Sequence, residues 1–209
     1  MAKKKSKDKK SPKPVKINLE ALLPRPGPIS LSGPKRIIEN ARQYPLLGCW
    51  IMQGWQEAGI APVVVARQQD ANKVIFGVYL IDIYCLGVKN AICNADFPRK
   101  RFDNELERLC QGTPEEIDAS LAHELIYGSI IFAERYGFKP HQDYQLAKFI
   151  LEPPDAYRPT HKLEFGKDGK PFYVSGPYDN AKAIVAQLER TAGSGNYDYI
   201  VGFGDPKNF

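Results

Sequence analysis

KVIFGVYLIDIYCLGVKN, residues Lys73 to Asn90, is the most hydrophobic stretch of the 209-residue chain, and its reading decides the fold. Alternation predicts one long strand with two apolar faces. Val74, Phe76, Val78, Leu80, Tyr84 and Leu86 share one face; Ile75, Tyr79, Ile81, Ile83 and Cys85 share the other. A strand apolar on both sides belongs inside a sheet that is covered above and below. The expected fold is therefore α+β: a mixed, mainly antiparallel sheet with a long central strand, about 73–87, packed by helices and preceded by a disordered lysine-rich tail.

Asp82 interrupts this stretch. A carboxylate buried without partners costs several kcal/mol, so Asp82 requires a partner, a shifted pKa or a wet cleft beside it. Lys89 lies seven residues on, roughly 20 Å along an extended strand, and on that reading it is too far away to neutralise Asp82.

Outward from the stretch, APVVVARQ (61–68) reads as a second strand by its β-branched content, joined to the first through the polar turn at 69–72. Arg67 at the edge of that hairpin is expected to pair with a carboxylate or reach a phosphate. Residues 46–58 fit a strand or a helix, with the strand favoured, and Trp50 and Trp55 read as core. Ser32 and Pro34 open a short helix over 34–43. FDNELERL reads as a helix after the basic Pro98-Arg99-Lys100-Arg101. Thr113-Pro114-Glu115-Glu116 matches a capping box, which predicts a helix from there to Tyr136 with Gly137 as its terminator. Gly128 within it implies close contact with a neighbouring element. A shorter helix is expected over about 141–151. LEF and PFYV read as a hairpin about Asp168-Gly169. Asp179-Asn180 caps an amphipathic helix, and YDYIVGF is a last strand.

The net charge of +5 divides unevenly. Residues 1–16 carry eight lysines and one aspartate, a net of +7, while residues 17–209 carry 21 basic and 23 acidic residues, a net of −2. The expected organisation is a basic tail over 1–16, a Pro/Gly-rich linker over 17–33 and a single α+β domain over 34–209. The tail suits phosphate backbones or an acidic protein surface through counterion release, or it serves solubility. Lys3, Lys4, Lys5, Lys7, Lys9, Lys10, Arg99, Lys100 and Arg101 are the candidate nucleic-acid contacts. No run of about 18 apolar residues is present, so a cytoplasmic protein without membrane contact is expected. Cys49, Cys85, Cys93 and Cys110 form no C-x-x-C pair and read as reduced, mostly buried thiols.

Catalytic signals are sparse. Ser120, Ser129 and Ser175 lie in no nucleophile elbow, and His123-Glu124 lacks the histidine four residues on that a zincin helix needs. Neither Ser175-Gly176-Pro177 nor Gly193-Ser194-Gly195 matches a P-loop, and no metal or cofactor is expected. The leading expectation is a non-enzymatic protein that associates with nucleic acid, RNA above all, or with a ribonucleoprotein. The alternatives are a metal-dependent nuclease or hydrolase centred on Asp82 with Glu124 and Asp143, and a protein-interaction adaptor.

Overall fold

The computed structural model describes residues 33–201. Its centre is an antiparallel sheet of β1 (Leu46–Met52), β2 (Ile60–Asp70), β3 (Lys73–Asp82), β4 (Gly87–Pro98) and β5 (Pro114–Ile117), ordered β4-β3-β2-β1-β5. The sheet is α+β as its alternation requires, with β2 in the middle position. The two faces predicted for residues 74–81 are the two faces observed. Val74, Phe76, Val78 and Leu80 meet Phe102, Leu109 and Cys110 of α3 (Arg99–Cys110). Ile75, Tyr79 and Ile81 meet α1 (Pro34–Glu39), α4 (Ala119–Arg135) and α5 (Tyr144–Ala147). Tyr79 is fully buried, and its hydroxyl donates to the Ala147 carbonyl at 2.7 Å, which satisfies its polar end.

The long strand, however, stops at Asp82. One Asp82 carboxylate oxygen accepts the amides of Tyr84 and Cys85, each at 3.0 Å. That local bonding competes with the strand ladder and turns the chain. Gly87, at φ +68, then starts β4, with Asp82 opposite Gly87 in the register. The turn folds Lys89 back toward Asp82, so the 20 Å separation expected of an extended chain does not exist.

Residues 46–52 are a strand, followed by the four-residue helix α2 (Trp55–Ala58) between Gly54 and Gly59, both at positive φ. Trp55 is buried, and Trp50 sits edge-on to Phe102 at 5.7 Å. The capping-box reading of Thr113–Glu116 is overturned. Pro114 to Ile117 pair with β1 as an edge strand, where a proline at the first position costs no ladder bond. The helix begins at Ala119, and Asp118 is its cap, accepting the Leu121 amide at 2.8 Å. Gly137, at φ +80, follows the helix as expected.

Two helices are shorter than their apolar stripes suggested. α1 ends at Glu39 before a 3-10 turn over Ala41–Gln43, and α5 spans Tyr144–Ala147. The LEF–PFYV hairpin does not form. Asp168-Gly169 closes a single bridge between Lys167 and Lys170, and Phe165 instead lies where a Cβ on Gly128 would stand. β6 (Phe172–Val174) pairs in parallel with β7 (Asp198–Ile200), connected through α6 (Ala181–Thr191), whose cap Asn180 accepts the Ala183 amide. A third apolar cluster of Cys85, Leu86, Tyr173 and Leu188 seats this unit on the 83–86 turn. The expectations for residues 1–16 and for Ser32 lie outside the described residues. Among the described residues, no helix is long and apolar enough to cross a membrane.

Candidate functional site

Asp82 is 7% exposed. Its own turn supplies amides and β4 supplies the charge of Lys89, which the loop before α6 engages through Asp179. The Lys89 ammonium donates to Asp179 at 2.8 Å, with both side chains only 13% exposed. Asp179 also accepts from the Gly176 amide at 2.8 Å and the Tyr173 hydroxyl at 3.3 Å. Burial pushes the Asp82 carboxyl up to about 6, against the pull of Lys89 and of the Cys85, Tyr84 and Leu86 amides. The partner and the shifted pKa that the sequence demanded are both present.

Glu124 is buried elsewhere, on α4. Its carboxylate accepts the Thr160 amide at 2.7 Å, the His161 amide at 3.0 Å and the His161 Nδ1–H at 3.0 Å. Burial raises this carboxyl, but the two amides and the imidazole outweigh it and hold it below its ordinary value. Asp143 is exposed after the loop that bonds to the β4 edge, with its carboxylate 3.5 Å from His141. The three carboxylates proposed for a metal centre thus belong to three separate networks. Among the described residues, no three His, Cys, Asp or Glu side chains are grouped to hold a metal ion.

Residues 152–163 form a strap without helix or strand that crosses α4. His123 Nε2 donates to the Pro153 carbonyl at 2.8 Å, and the Tyr127 hydroxyl donates to the Glu152 carbonyl at 3.0 Å. Beneath the strap is a cavity of about 20 Å³ bounded by Cys49, Arg67, His123, Glu152 and Tyr157 among others. That volume suits a water molecule. Arg67 is 2% exposed and donates to Ile150 O, Tyr44 O and Glu152 Oε1 at 2.7, 2.9 and 2.6 Å. Carboxylate pairing is therefore its observed role. Burial pushes the Cys49 thiol up to about 12, so it stays protonated and unreactive at neutral pH. All four cysteines are free.

The basic cluster Arg99-Lys100-Arg101 occupies the first turn of α3 rather than a loop. Arg99 donates to Asp103 at 2.9 Å and to Gln68 at 2.8 Å, and Arg101 donates to Glu105 at 2.8 Å. Two of its three charges are thereby partnered one helical turn away. A second group of cations was missed in the sequence. Arg42 donates to the Leu151 and Lys148 carbonyls at 2.6 and 3.2 Å, and Arg42 and Lys148 lie 6.0 and 5.7 Å from the centre of the Phe149 ring. Neither is in an ion pair among the described residues. They are 106 positions apart, so no local pattern announces them.

Compared with protein-family models, with curated proteins and with solved structures, the chain matches none.

Proposed function

We propose that this is a non-enzymatic nucleic-acid-binding protein, with RNA or a ribonucleoprotein as its target. The observation that carries the reading is the division of charge. Residues 1–16 hold +7, whereas the described residues 33–201 hold 19 basic and 21 acidic residues, a net of −2. A segment of that density releases counterions from a phosphate backbone and supplies affinity without sequence preference. The folded domain adds an oriented contact. α1 follows directly on the linker that leads from the lysines, and Arg42 and Lys148 present cations beside Phe149 where α1 meets α5. Arg42 is held in place by two carbonyls, so its charge is positioned before any ligand arrives.

The test is a salt titration of the full chain on a single-stranded RNA and on duplex DNA of equal length. Replacing Lys3, Lys4, Lys5, Lys7, Lys9 and Lys10 with glutamine should flatten the slope of log K against log salt by about 0.7 per lost contact on single strands. Arg42→Gln should weaken binding with a change of about one contact in slope. Absence of binding by the unaltered chain at about 50 mM salt, where such contacts are strongest, overturns the reading.

A further inference from the structure

The strap over α4 has the features of a latched lid. From Glu152 to Glu164 no residue is fully buried; its apolar contacts are Leu163, which packs on the main core at the far end, and Tyr157, edge-on to His123. Its polar attachments converge mostly on His161 and its neighbour Thr160. The His161 ring stands between two carboxylates of the α4 N-terminal region, Nδ1 at 3.0 Å from Glu124 and Nε2 at 3.5 Å from Asp118. We propose that residues 153–163 are a proton-controlled lid, closed while His161 bridges Asp118 and Glu124, and opened by loss of that bridge to uncover the Arg67–His123 cavity.

An imidazolium has two N–H donors and can serve both carboxylates; a neutral ring has one and must release an arm. Charge-assisted bonds are also roughly twice as strong as neutral ones, so the remaining arm weakens. The groups facing the ring are Asp118 and Glu124 from α4, and Arg158 and Lys162 are its charged neighbours on the strap itself. The hydrogen bond to Glu124, followed by the charges of Glu124 and Asp118, raises the His161 pKa above its ordinary value. The sign follows. The latch is fully present below the ordinary histidine value near 6.5 and is lost as pH rises through the raised value.

What opening exposes is a buried arginine and a histidine on one wall. His123 lies tilted against the Tyr127 ring at 4.4 Å and meets Tyr157 edge-on at 5.1 Å, so displacement of Tyr157 uncovers the His123 ring along with the cavity. The closed lid leaves space for little more than a water; the open one admits a larger polar ligand to the Arg67 guanidinium.

Amide hydrogen exchange on the full chain tests the lid, because the Thr160 and His161 amides report directly on their bonds to Glu124. After correction for intrinsic exchange, their protection should fall about fivefold between pH 5.5 and 8.5, in line with the loss of a charge-assisted bond. The β2 and β3 amides should hold steady, and His161→Gln should abolish the pH response. Asp118→Asn, which keeps the helix cap, should reduce the response and serves as the second variant if His161→Gln loses core protection. A flat profile in the unaltered protein, or the same fall in a folded His161→Gln or an undiminished one in Asp118→Asn, overturns the proposal.

Discussion

Asp82 and Glu124 each hold a non-repetitive segment by accepting backbone amides, one at the β3–β4 turn and one under the 152–163 strap. Both are buried, yet their carboxyls shift in opposite directions. At the turn, burial exceeds the pull of the amides and of a lysine that Asp179 shares. At the strap, two amides and an imidazole exceed burial. Amide bonding alone does not set the ionisation of a buried carboxylate; burial weighed against a directly bonded cationic partner, present at Glu124 and absent at Asp82, decides it. The pH consequences are opposite as well. Asp82 imposes a penalty that grows as pH rises from the ordinary carboxylate value through about 6. Glu124 contributes stability that is present above its ordinary value and is lost as pH falls through its depressed one.

The largest test of this contrast removes the shared cation. Lys89→Met leaves the largely buried Asp179 without its cation and removes the positive charge that acts on Asp82, and loss of one partner from a buried pair costs about 3–5 kcal/mol. Urea melts at pH 7.5 should show that loss, and adding Asp82→Asn should recover part of it. If the single variant is as stable as the parent, the turn does not depend on Lys89.

Asp82→Asn alone sharpens the comparison. Asparagine keeps an oxygen for the Tyr84 and Cys85 amides and carries no charge to desolvate. Thermal melts should show a gain at pH 7.5, with a ceiling of about 3 kcal/mol set by the shift to about 6. The gain should disappear near pH 4. An equal gain at both pH values means that ionisation is not what separates the two regions.

A glycine under an aromatic ring marks each region and provides the smallest contrast. A Cβ on Gly59 would run into the Tyr84 ring and one on Gly128 into the Phe165 ring. Gly59 also sits at φ +69, where a side chain is strained. Gly59→Ala should cost about 2–4 kcal/mol from strain and overpacking together. Gly128→Ala should cost about 1 kcal/mol net, because better helix propensity offsets part of the clash. Equal losses in thermal melts contradict the assignment of backbone strain to the turn alone.

The sheet was legible because its signal is local and periodic: the two faces of Val74 to Ile81 follow from alternation alone. The need for partners at Asp82 was also legible, from the cost of burying charge. Its partners were not, because reading 73–90 as one strand concealed a turn that the aspartate itself makes. Thr113–Glu116 misled for a related reason. The capping pattern is real, but the edge of β1 offered those residues a ladder, and pairing overrode the local preference. The strap site and the Arg42–Lys148 pair join residues 37 and 106 positions apart. Nothing in a single sequence encodes such meetings except burial: Glu124 stands out only as a possible partner of Asp82, and Arg42 does not stand out at all.

β5 is one of the two edges of the main sheet, and its four residues are Pro, Glu, Glu and Ile, both glutamates exposed. A proline without a donor and two adjacent negative charges make that border a poor template for annexing a strand from another molecule. The glutamates whose spacing imitates a helix start thereby protect the sheet from growing outward, and they favour a chain that remains separate from its neighbours at high concentration.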